Sequence, residues 1–140
     1  MANMIPTEMN VADEPQSTFE IIRQPSLTWR IDFTKNRVVG LCDELKAYEQ
    51  AVYLALNVER YKYLILSWNY GVELNGLIGQ PLPYVVPELE RVITEAVMQD
   101  DRTQSVHSFE FDTSQRGIVS LKFVAQSIYG EVTIQKDLVL

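Results

Sequence analysis

Ile118–Tyr129 reads IVSLKFVAQSIY. Val119, Leu121, Phe123 and Ala125 recur at every second position, and a period of two sends successive side chains to opposite faces of a strand. The stretch therefore predicts a β-strand with one apolar face. On its N-terminal side, Thr113–Gly117 supplies turn residues, and Val106–Asp112 alternates again, with His107, Phe109 and Phe111 on one face. On its C-terminal side, Gly130 opens a last strand, Glu131–Lys136, followed by a short apolar tail, Asp137–Leu140. The last third of the chain is a three-stranded meander.

Further upstream the period changes to that of a helix. Leu89, Val92, Ile93, Ala96 and Val97 form one stripe, with Pro87 at the first helical position, Glu88 and Glu90 near the positive end, and a stop before Asp100 and Asp101. An earlier stripe, Leu45, Tyr48, Ala51, Val52, Ala55 and Leu56, follows Asp43 as N-cap and Glu44 in the first turn, and ends near Asn57. Before it, Leu27–Asp32 alternates with Leu27, Trp29 and Ile31 on one face. Phe33–Arg37 turns and Arg37–Gly40 returns, giving a first hairpin. The order of hairpin, helix, irregular segment, helix and meander is that of an α+β fold.

The irregular segment, Arg60–Pro81, reads RYKYLILSWNYGVELNGLIGQP. Tyr61–Leu66 is β-prone and suits a strand or an extended run. Asn69, Gly71, Asn75, Gly76 and Gly79 mark turns, with one short helical turn around Leu74, Leu77 and Ile78. Trp68 and Tyr70 carry apolar bodies with polar tips, which suit either the core between the helices or burial against a partner.

The chain of 140 residues suits one domain with its own core. Residues 1–25 are polar, acidic and without period, and are expected to be a flexible arm before a domain spanning 26–140. The first twenty residues hold Glu8, Asp13, Glu14 and Glu20 with no base, more than half of the formal net charge of −7. That balance argues against nucleic-acid binding, which draws on clustered Lys and Arg. No apolar run is long enough to span a bilayer, and the N-terminus lacks the plan of a secretory signal. The lone cysteine, Cys42, fits synthesis in a reducing compartment.

The residues that bear chemistry are scattered. His107 lies in a β pattern beside Phe109 and is expected to pack in the core or across strands. One His and one Cys do not make a zinc site, and no phosphate loop or EF-hand spacing is present. No cofactor is expected. Glu110 and Asp112 share a strand face and are the one carboxylate pair worth naming for a cell-wall hydrolase; a solvated strand face is the favoured account, since nothing in the sequence shows an acid held in an apolar pocket. A generic adaptor domain is the remaining alternative.

Ser67-Trp-Asn-Tyr-Gly71, followed by Glu73-Leu74 and Leu77-Ile78-Gly79, resembles the XkdS-like baseplate proteins of contractile phage tails and phage-tail-like bacteriocins, relatives of the small baseplate wedge protein that initiates the tail sheath. The likeness extends over roughly residues 26–135, through Thr28–Asp32, Arg37–Gly40, Glu49-Gln50-Ala51, Glu88–Arg91, Asp101-Arg102 and Phe109–Tyr129. The resemblance implies a non-enzymatic α+β building block of the inner baseplate, present in six copies. Its implied partners are the wedge proteins, the tail sheath protein and tube or hub proteins, with no nucleic acid and no membrane. It also implies assembly in the bacterial cytoplasm and a final place in the phage or bacteriocin particle. Wider relatives use a Glu-x-Arg-type motif to hold the wedge helices. Glu59-Arg60 stands at a similar distance before Asn69-Tyr70-Gly71, without the proline of those relatives, and both are carried over as partner contacts with Trp68 and Tyr70. An exposed strand edge recruits another chain's strand. Glu131, Val132, Thr133, Ile134, Leu138 and Leu140 are therefore expected to receive sheath arms.

Overall fold

The computed structural model describes residues 22–140. Most of the expected N-terminal arm lies outside them. The described residues form an α+β domain. Strands β1 (Thr28–Asp32) and β2 (Arg37–Cys42) make a hairpin, followed by helix α1 (Glu44–Leu56), a single 3-10 turn at Asn75–Leu77, and helix α2 (Leu82–Met98). The chain ends in β3 (Thr103–Asp112), β4 (Ile118–Ser127) and β5 (Gly130–Val139), antiparallel in the order β3-β4-β5.

The alternation in β4 is realised: Val119, Leu121, Phe123 and Ala125 are fully buried. Both helices cover that face, α2 toward β3 and α1 toward β5. Tyr48, Val52 and Leu56 of α1 meet Leu89, Ile93 and Val97 of α2 over it. Asp43 caps α1 by accepting from the Glu44 N–H at 2.7 Å. The buried Tyr48 hydroxyl finds a partner in Thr103 Oγ1 at 2.8 Å, and Thr103 in turn donates to the Val97 carbonyl.

Four expectations are corrected. Helix α2 starts at Leu82, and Pro87 lies inside it rather than at its start. The reason is an earlier proline pair: Pro81 is the N-cap, its carbonyl accepting from Tyr84 and Val85, and Pro83 sits in the first turn, where a missing N–H costs nothing. Glu88 and Glu90 are thus beyond the first turn, and Glu88 instead pairs with Arg91. In β3, the register slips between His107 and Glu110, and Ser108 adopts φ 58°. This bulge moves the inward side from Val106 to Phe109 and Phe111, leaving His107 exposed beside the Ser108 hydroxyl rather than in the core. Tyr61–Leu66 is a chain of turns, not a strand, since no strand edge pairs with it. Finally, β5 runs on to Val139, so the expected tail belongs to the sheet.

Candidate functional site

The aromatic segment is a loop pinned at its base. Its ends meet through a parallel bridge between Glu59 and Val72, with Arg60 N–H donating to the Val72 carbonyl at 3.2 Å and Val72 N–H to the Val58 carbonyl at 2.9 Å. Gly71 takes φ 98°, and a Cβ there would lie 2.6 Å from the Val58 carbonyl oxygen, so only glycine closes this base.

Glu59 and Arg60 complete the closure. The Glu59 carboxylate accepts from the N–H groups of Leu74 and Asn75, both at 3.2 Å, and so anchors the 3-10 turn. The buried Arg60 guanidinium donates to the Gly71 carbonyl at 3.2 and 3.3 Å and to Glu95 at 2.7 Å, with Glu73 at 3.5 Å. Arg91 joins Glu88 to Glu95 on the same side. Burial works against the Arg60 charge, yet Glu95 and Glu73 raise its pKa above the ordinary value, and the bond from Arg60 pulls the Glu95 carboxyl below its own. Both residues carried over from the motif thus form bonds within the chain.

The tip of the loop faces outward. Leu64 and Ile65 are essentially bare, and Trp68 is 81% exposed. Tyr70 turns the other way: it is half-buried in a cleft with Asp100 and Arg102, and desolvation pushes its hydroxyl pKa up. Trp68 and Tyr70, taken together from the sequence, therefore face different surroundings. Leu64 and Ile65 went unnoticed there; the signal for them was an apolar run without the period of a helix or a half-buried strand.

A second feature is the edge of the sheet. Leu140 N–H bonds to the Gly117 carbonyl at 2.9 Å, and the same register continues unbroken from Ile118↔Val139 to Ser127↔Gly130. Antiparallel pairing alternates between bonded and non-bonded pairs. Even-numbered residues of β5 therefore bond to β4, while Glu131, Thr133, Gln135, Asp137 and Val139 direct N–H and C=O away from it. The side chains of Val132, Ile134 and Leu138 point into the core, and Leu140 packs against it. Beside Thr133–Gln135 runs a groove of about 360 Å³, walled by α1 and by Arg30, Ile31 and Phe33 of the first hairpin.

The two edges of the sheet differ. Strand β3 carries register shifts at Thr103/Ser105 and His107/Glu110, and bulges of this kind blunt an edge. Strand β5 has none. The hairpin adds apolar surface of its own: Leu27, Trp29, Val38 and Leu41 are all more than half exposed, although the sequence places Leu27, Trp29 and Ile31 on one apolar face.

Glu110 and Asp112 are not arranged as an acid–base pair. Glu110 is exposed and pairs with Lys122 at 3.3 Å. Asp112 is exposed, and hydrogen bonds from Ser114 hold its carboxyl below the usual range. A group so held is a poor proton donor near neutral pH. Among the described residues, no His, Cys, Asp and Glu cluster is placed to hold a metal, and no helix is long and apolar enough to cross a membrane.

The contractile injection system sheath initiator family matches residues 27–130. The chain belongs to the sheath initiator family. Over 132 residues, 87% of this chain and 93% of the relative, it is 34% identical to the phage-like element PBSX protein XkdS of Bacillus subtilis (strain 168). This sheath initiator accordingly has a structural role tied to the phage tail sheath, with sheath and baseplate components as its contacts. The matched region takes in the pinned aromatic loop and strands β3 and β4, and ends at Gly130, the first residue of β5.

Proposed function

We propose that this sheath initiator joins the inner baseplate wedges to the first sheath ring and templates sheath assembly by strand addition along β5. One observation carries the proposal: β5 holds an unbroken register with alternate backbone groups unpaired, whereas the opposite edge, β3, is bulged. Unpaired N–H and C=O groups at regular spacing recruit an extended segment of another chain, here an arm of a sheath subunit. One such site is weak. Six copies in a ring raise the effective concentration for the next sheath subunits and turn weak pairing into a committed start.

The loop tip serves the other partner. Leu64, Ile65 and Trp68 present exposed apolar side chains on a loop pinned at its base, suited to a hydrophobic socket on a wedge protein. Glu59 and Arg60 act there by holding the loop rather than by touching the wedge. The protein catalyses no reaction in this role, assembles in the host cytoplasm and remains in the finished particle.

Thr133→Pro tests strand addition. Thr133 directs its N–H away from β4, so proline there removes an edge donor without removing a bond of the sheet. The expected outcome is a variant with unchanged circular dichroism on which sheath does not polymerise. Normal polymerisation on the folded variant would refute strand addition at β5.

A further inference from the structure

The groove beside β5 has a second wall whose backbone is already occupied, by a side chain. On β1, Ile31 N–H donates to Gln50 Oε1 at 2.8 Å, and Gln50 Nε2 donates to the Trp29 carbonyl at 2.9 Å. A primary carboxamide carries one acceptor and a donor in nearly the geometry of a peptide group. Gln50 of α1 thus satisfies, from the side, two of the backbone groups of β1 that face away from β2, the Ile31 N–H and the Trp29 carbonyl. The hairpin has only two strands, and its outer β1 edge would otherwise be open.

The groove between this capped edge and the open edge of β5 is lined by Ile31, Gln50 and Thr133–Gln135 together. An extended segment lying along β5 there has its other edge turned toward β1. It can offer Ile31 and Trp29 the same donor and acceptor that Gln50 offers.

We propose that Gln50 is a placeholder for the incoming sheath strand: the strand that pairs with β5 displaces the Gln50 carboxamide and takes over Trp29 and Ile31 of β1, joining the hairpin and the C-terminal sheet through one added strand. This rests on the strand-addition reading of β5. Exchange of two hydrogen bonds for two hydrogen bonds is nearly balanced, so the placeholder blunts the β1 edge in the free protein without locking it. It also makes pairing selective. A strand that satisfies only β5 leaves Gln50 in place, whereas one of the right length and direction gains contacts on both sides.

The test compares the full-length protein with Gln50→Ala, using the purified sheath subunit of the same particle, kept below its polymerisation threshold, as the probe. Removing the competitor is expected to tighten sheath-subunit binding by roughly tenfold. Ile31 amide exchange, read by NMR, supplies a second measurement. In the free wild type Ile31 is protected, in free Gln50→Ala it exchanges fast, and in the complex of Gln50→Ala with the sheath subunit it is protected again. Unchanged or weaker binding by the folded variant, or an Ile31 amide that still exchanges fast in its complex, would overturn the placeholder. Binding that is insensitive to Thr133→Pro would instead overturn strand addition at β5, and the placeholder with it.

Discussion

Arg60 is the residue on which the aromatic loop depends. It is 8% exposed, and its guanidinium ties the Gly71 carbonyl to Glu95, 35 positions away in sequence. The Glu95 carboxyl is held below its ordinary value of 4.5 by that bond. A carboxyl with a depressed folded pKa contributes stability that is fully present above the unfolded value and is lost as pH falls through the folded one. The loop is therefore expected to loosen as pH drops below about 4.5, seen as a change in Trp68 fluorescence before global unfolding. Arg60→Ala should abolish that step and cost about 2 kcal/mol in urea unfolding, because a buried carbonyl loses its donor. The sequence places Arg60 beside the turn and marks Gly71 as a break, but it does not show that Arg60 points inward. Its acceptors come from α2 and from the far end of the loop, and nothing local announces them. Asp43 was legible for the opposite reason: a cap acts on its immediate neighbours.

At the scale of elements, periodic segments were readable where burial on one face sets the pattern. Both helix stripes and the inward row of β4 follow from spacing alone. The misreadings arose where backbone geometry overrides spacing. The Ser108 bulge reverses the facing of β3, and the pair Pro81 and Pro83 ahead of Pro87 starts α2 earlier. The aromatic loop belongs to the same class: β propensity in Tyr61–Leu66 counts for little without an edge to pair with. Its tip makes a clean prediction. Exposed side chains away from special backbone features change stability by no more than about 0.5 kcal/mol. The double variant Leu64→Ser, Trp68→Ala should thus melt like the wild type, yet fail to incorporate into baseplates in a co-assembly assay. A variant that incorporates normally would remove the loop from the wedge interface.

For the whole molecule, the surfaces of the sheet differ in kind. One face of the sheet is sealed by two helices, one edge is bulged, and the other edge is regular and faces a groove. An α+β domain with a C-terminal meander was legible from the sequence. The last strand was expected as the exposed edge; the bulges that blunt β3 and the groove that the hairpin forms beside β5 were not legible, because they depend on backbone geometry and on how the hairpin packs across α1. The acidic balance is consistent with the structural role, since a net charge of −7 gives little attraction for nucleic acid. The central claim is that sheath begins on β5, and a reconstruction of the baseplate–sheath junction at side-chain resolution tests it most directly. The expected result is a sheath-subunit segment hydrogen-bonded along residues 131–139 in every copy of this chain. A first sheath ring seated elsewhere, with the β5 edge bare or covered by a baseplate protein, would contradict it.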